Sequence, residues 1–173
     1  MARYAAFLRG ISPMNASMAN LRRAFEAAGF TDVKTVISSG NVVFTTRAGA
    51  NMSIERRAER AMQKELGRTF LTIVRPVNAL IELLDADPYA SFKLTPGSKR
   101  VVTFLRQPTD VSLDFPQSRD RAHIHTRIGL EIFSSYVPSG NSPDFMLLIE
   151  KAYGKEVTTR TWETIGRVVR AAG

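Results

Sequence analysis

The sequence predicts an α+β fold of two ferredoxin-like subdomains, each built on an antiparallel sheet, and three observations carry this. Short apolar runs and amphipathic stripes alternate as β-α-β-β-α-β over residues 1–76. After a loop holding Pro88, Pro96 and Gly97, a strand, a helical piece, a hairpin, a helix and a short strand follow in that order. The tripeptide Phe7-Leu8-Arg9 returns as Phe104-Leu105-Arg106 at the matching place. An internal structural duplication explains all three.

In the first half, Tyr4–Arg9 is a strand stopped by Gly10. Ser17 is a good helix N-cap, because its hydroxyl can accept an orphan first-turn N–H. Met18, Leu21, Phe25 and Ala28 then recur on one helical face, with Arg22, Arg23 and Glu26 opposite and Gly29 as terminator. Val33–Ile37 and Val42–Thr46 are β-branched runs around Ser38-Ser39-Gly40-Asn41, a hairpin pattern. Ser53 caps the next expected helix, whose stripe is Ile54, Ala58, Ala61, Met62 and Leu66 and whose stop is Gly67. Phe70–Val74 is a strand closed by Pro76.

Residues 77–98 read as a linker with a short helix over Val77–Leu84. In the second subdomain, residues 99–173, Lys99–Arg106 is a strand and Thr109–Leu113 a short helical turn. Ala122–Thr126 and Leu130–Phe133 form a second hairpin around Arg127-Ile128-Gly129. Ser139-Gly140-Asn141-Ser142-Pro143 is a loop whose proline suits a helix start. A helix over Phe145–Tyr153 and a brief strand over Glu156–Thr158 come next. The final helix is capped by Thr159 or Thr161 and carries Trp162, Ile165, Val168 and Val169 on one face.

Composition narrows the function. The 173 residues hold 44% hydrophobic and 23% charged side chains, an ordinary globular mix. No run approaches the roughly 20 apolar residues of a membrane helix, and the chain reads as cytoplasmic, with no membrane partner. With no cysteine, disulfides, thiolate metal ligands and cysteine nucleophiles are excluded. The net charge is +8, and Arg outnumbers Lys 18 to 6. A positive field attracts nucleic acid or phosphorylated ligands, and the planar guanidinium fits phosphate and carboxylate. The arginines are scattered rather than blocked, however, so a solvated basic surface is the plainer interpretation.

The first strand of a ferredoxin-like unit runs antiparallel beside the third. Its C-terminal end therefore brings Arg9, Ser12, Asn15 and the helix start at Ser17 to the edge that holds Ser38-Ser39-Gly40-Asn41. A guanidinium, hydroxyls and free helix N–H groups there suit a phosphate or carboxylate, which makes Arg9, Asn15, Ser39 and Asn41 candidate anion ligands. Caps and turns use the same residue types for purely structural ends. His123 and His125, two apart on a strand, share a face, but Arg119, Arg121 and Arg127 around them oppose a cation, so neither a metal nor a cofactor is expected. Phe7 and Phe44 could stack RNA bases only if they faced away from the helices. No nucleophile elbow, phosphate-binding Walker loop or dinucleotide fingerprint occurs.

Arg9-Gly10-Ile11, Leu21 to Gly29-Phe30, Val36-Ile37-Ser38-Ser39-Gly40-Asn41-Val42-Val43-Phe44 and Thr158-Thr159-Arg160-Thr161-Trp162 together resemble the bacterial family called domain of unknown function 1697. The resemblance runs through essentially the whole chain and implies two ferredoxin-like subdomains without an established activity. It also implies a role for Arg160, which joins the candidate anion ligands. The family's glycine pair after Arg-Gly-Ile is replaced here by Ser12-Pro13-Met14-Asn15, which favours side-chain over backbone anion contacts. The leading functional expectation is a binding module for nucleic acid or a phosphorylated small molecule. An enzyme acting on an anionic substrate, and a structural or protein-interaction module, are the alternatives.

Overall fold

The computed structural model describes residues 1–138 and 144–173, so the loop expected at 139–143 lies outside the described residues. The elements are β1 (Ala2–Leu8), α1 (Met18–Ala27), β2 (Thr31–Val36), β3 (Asn41–Thr46), α2 (Asn51–Leu66), β4 (Thr72–Pro76), α3 (Val77–Ala86), β5 (Lys99–Leu105), β6 (Gln117–Arg119), β7 (Ala122–Ile128), β8 (Glu131–Tyr136), α4 (Asp144–Tyr153), β9 (Val157–Thr161) and α5 (Trp162–Ala172). A 3-10 turn covers Pro88–Ser91. Two compact units result: Met1–Asp85 with Thr164–Gly173, and Ala86–Glu163. Most of α5 thus falls in the first unit, where Arg3 Nε donates to Ala172 O at 3.1 Å; the sequence reading groups that helix with the second.

The first unit is a β-α-β-β-α-β fold with sheet order β2-β3-β1-β4, antiparallel throughout. Tyr4, Ala6 and Leu8 of β1 join Leu21 and Phe25 of α1, and Ala58 and Met62 of α2, in one core. Phe25, Phe30 and Phe44 pack ring against ring, with centroids 4.3–5.8 Å apart. Ser17 caps α1 as expected, its Oγ accepting from Asn20 N at 3.1 Å. Gly29 has φ +85°, a left-handed conformation that favours glycine, and the end of the Arg57 side chain lies against it. That approach lets Arg57 Nε donate to Ala28 O at 2.6 Å, closing the C-terminal end of α1 from α2. Ser53 does not cap α2: the helix starts three residues earlier, after Ala50, without a side-chain cap.

Two carboxylates that no apolar stripe could reveal bind α2 to the sheet edge. Glu55 Oε1 accepts from Val74 N at 3.0 Å and Glu59 Oε2 from Thr72 N at 3.3 Å. Residues four apart on a helix thereby meet residues two apart on an edge strand, whose outward N–H groups would otherwise lack a sheet partner.

The second unit has sheet order β6-β7-β8-β5-β9, also antiparallel. It repeats the first around the shared tripeptide. Leu8 N donates to Gly40 O, and Leu105 N to Leu130 O, both at 2.9 Å. Arg9 N donates to Leu71 O at 2.9 Å, and Arg106 N to Glu156 O at 3.3 Å. In each pair the acceptor directly precedes a neighbouring strand, so the tripeptides occupy equivalent places. The units differ in the first helix: the helical turn expected at Thr109–Leu113 is absent. Thr109 Oγ1 instead accepts from Val111 N, a local side-chain bond that competes with helix. The edge strand β6 follows in its place.

Replacing Phe25 with Ala should cost about 3–5 kcal/mol, because the fully buried ring leaves a cavity between two aromatic partners. Denaturant unfolding measures this; a loss below about 0.5 kcal/mol would mean that the ring packs on nothing.

Candidate functional site

The structure brings four of the five candidate ligands to one end of the first sheet. Phe7 pairs with Asn41, and Arg9 leaves β1 beside the turn that holds Ser39. The polar groups there are engaged with one another. Asn15 Nδ2 donates to Gly10 O at 2.8 Å, and its Oδ1 accepts from Ser12 N at 2.9 Å. Buried Asn41 donates to Val36 O at 3.0 Å and Ser39 Oγ at 3.1 Å. A Cβ on Gly40 would lie 2.9 Å from Ile11 Cβ, so the β1–α1 loop rests directly on this turn. Asn15 and Asn41 therefore serve to shape loops.

Arg160 belongs to the second unit, on β9. Its Nη1 donates to Thr158 Oγ1 at 2.8 Å and Thr159 O at 2.9 Å. Burial pushes its guanidinium down to about 10, which still leaves it charged at neutral pH. Phe7 and Phe44 are both fully buried, so neither offers a face for base stacking.

A different place in the second unit has the geometry of a site. The segment Pro88–Phe92 is held across the sheet by the Tyr89 hydroxyl, which is directed at Val101 O (2.5 Å) and Ser134 O (2.9 Å) and accepts from Ser134 N at 3.2 Å. This sets the Phe92 ring parallel to the His125 imidazole, 4.8 Å between centroids and 15° between planes. A groove of about 460 Å³ opens beside them, lined by Lys93, Thr95, His123, His125 and Ser135 among others. A second hollow of about 440 Å³ shares Thr95 and His123 and adds Asp120 and Arg121.

The two histidines do share a face, their ring centroids 6.2 Å apart. Each contacts a serine: His123 Nδ1 lies 2.7 Å from Ser118 Oγ, and His125 Nε2 lies 2.7 Å from Ser135 Oγ. Burial, and secondarily the charge of His123, hold His125 below the ordinary imidazole range. Among the described residues, no group of three or more His, Cys, Asp or Glu could hold a metal ion. Sequence reasoning named the histidines but missed Ser135, Phe92 and Lys93. No local pattern marks them, because the register of β7 on β8 and the crossing of the Tyr89 segment bring them together.

The family model for a protein of unknown function (DUF1697) matches residues 1–123. The chain belongs to this family. No curated protein matches it. Among solved structures it is similar to the conserved bacterial protein SP0830 from Streptococcus pneumoniae, with a TM-score of 0.73, 18% identity and 99% of each chain covered. At that identity the likeness establishes the shared fold, and the DUF1697 family brings no activity with it. Among the described residues, no helix is long and apolar enough to cross a membrane.

Two outcomes follow. Tyr89→Phe should cost about 1–3 kcal/mol by leaving buried polar groups of β5 and β8 unpaired, measured by denaturant unfolding. Because His125 is depressed in the fold, the unfolded chain binds the proton more readily, so stability is full above the ordinary imidazole pKa and falls on acidification through it. Thermal unfolding should show a falling midpoint from pH 7 to about pH 5, and a shallower fall in His125→Gln; equal slopes would remove His125 as the cause.

Proposed function

We propose that this DUF1697 protein is a binding module for a small anionic ligand, a phosphorylated compound in the first instance, taken up in the groove of its second unit. The reading rests on one observation: Lys93, Arg121, His123 and His125 line two adjoining hollows in which, among the described residues, Asp120 is the only carboxylate. Lys93 supplies a mobile ammonium and Arg121 a planar fork, while imidazoles and hydroxyls offer short-range hydrogen bonds. The volume suits a ligand of metabolite size. A cytoplasmic location, where phosphorylated metabolites abound, fits this reading.

The groove is preferred to the Arg9 corner because the corner's amides are spent on its own loops. A small ligand is preferred to nucleic acid because the aromatic rings of the first sheet are buried. The net charge of +8 remains the argument for nucleic acid.

A thermal-shift series with inorganic phosphate, sugar phosphates and nucleoside monophosphates tests the proposal. A ligand at about 100 times its Kd adds about 2.7 kcal/mol and raises the midpoint by several degrees. Lys93→Ala and Arg121→Ala should weaken the response, and Arg22→Ala, on the exposed side of α1, should leave it unchanged. The response should grow as pH falls towards 6, since a bound anion favours imidazolium. Salt-sensitive binding of a labelled oligonucleotide at about 50 mM salt, without any shift by small phosphates, would replace this reading with nucleic-acid binding.

A further inference from the structure

The two serine–imidazole pairs of the second unit differ in their surroundings. Ser118 is exposed on β6. Ser135 is 1% exposed, and the way to it is through the groove that it lines with His125. The His125 ring is backed by Phe92, whose segment is itself fixed by Tyr89. A serine hydroxyl becomes a useful nucleophile when a base within about 2.6–3.2 Å can take its proton and a third group holds that base in place. Ser135 and His125 meet the distance at 2.7 Å, and a stacked ring supplies the orientation that a carboxylate supplies elsewhere.

We propose that Ser135 and His125 form a nucleophile–base dyad, and that the groove hydrolyses a carboxylic ester whose anionic part is held by its cationic wall. The substrate class rests on the anion-binding reading above; the dyad rests on its own geometry. In the forward step Ser135 Oγ bonds to the ester carbonyl carbon as its proton passes to His125 Nε2. The carbon–alkoxy bond then breaks, and the alcohol leaves with that proton. Water, deprotonated by His125, attacks the acyl-serine, releasing the carboxylic acid and restoring the serine hydroxyl.

His125 is held below the ordinary imidazole range by its burial, which favours the neutral ring, and in the tautomer with its proton on Nδ1 the Nε2 beside Ser135 Oγ is the acceptor. The charged or titratable groups lining the same groove are His123 and Lys93. Among the described residues that lining holds no carboxylate to stabilise an imidazolium, and slow turnover is expected.

A fluorophosphonate ester reacts with activated serines without needing an anionic handle, so it tests the dyad directly on the intact protein. Whole-protein mass spectrometry should show one adduct, and peptide mapping should place it on Ser135. His125→Gln should slow its formation at least about tenfold, since general bases contribute about 10²–10⁴. The rate should rise with pH around a midpoint below about 6.5. An unmodified Ser135, an adduct on Ser118 instead, or an unchanged rate in His125→Gln would overturn the dyad. Mapping on the wild-type protein decides this even if Ser135→Ala fails to fold. Failure of labelling with the phosphate shift intact would refute only the dyad. An adduct with no phosphate shift would keep the dyad and overturn the anionic substrate class.

Discussion

The second unit depends on one hydroxyl. Val101 and Ser134 are partners across β5 and β8, and Tyr89 inserts its phenol between them from outside the sheet. Burial raises its pKa well above the ordinary value, so the group stays protonated and able to donate at neutral pH. Its ring meets Phe92, Phe133 and Trp162 edge to face, with Arg100 over it at 5.9 Å. A short 3-10 turn has little stability of its own. Tied to the sheet by this side chain, it becomes a fixed wall, and both the stack on His125 and the groove beside it inherit that fixity.

Burial then decides where chemistry can happen. On β1 the residues alternate between the helix side, Tyr4, Ala6 and Leu8, and the opposite side, Ala5 and Phe7, and all five are buried. β5 behaves alike, with Val101 and Leu105 in the α4 core and Val102 and Phe104 buried opposite. A strand buried on both sides offers no open platform. The β4 edge is answered by Glu55 and Glu59. The groove lies where a crossing segment leaves the outer strands incompletely covered.

Much of the fold was legible because its signals are local. Ser17, Gly29 and Gly67 mark helix ends through their own hydrogen bonds or φ values, and the hairpin at 38–41 falls where β-branched runs are broken by turn residues. The repeated Phe-Leu-Arg was informative because the N–H groups of its Leu and Arg bind equivalent backbone positions in each unit. Thr109–Leu113 misled because its residues are equally suited to an irregular segment tied by Thr109. The site was illegible for the converse reason. Tyr89 and Ser134 are 45 residues apart, and His125 and Ser135 meet only through a bulged register. At the Arg9 corner the residue types were read correctly, but hydroxyls and amides that can hold an anion can equally hold a loop, and here Asn15 and Asn41 do so.

The basic composition takes on a different meaning once its arginines are followed. Arg3 donates to Ala172 O and Asp32 O, Arg57 to Ala28 O, Arg75 to Val74 O, Arg127 to Gly129 O and Val111 O, and Arg160 to Thr159 O. These guanidinium groups satisfy backbone carbonyls at helix ends, strand ends and loops, some of them two at a time, as a planar five-donor fork can and an ammonium cannot do with the same rigidity. At these five positions the choice of Arg over Lys is structural, and the net charge of +8 overstates the charge free to meet a polyanion. A scattered set of tethered cations makes a poor track for a nucleic-acid backbone. Lys93 and Arg121 line adjoining hollows with the two imidazoles, and on the proposed reading that suits one small anion better.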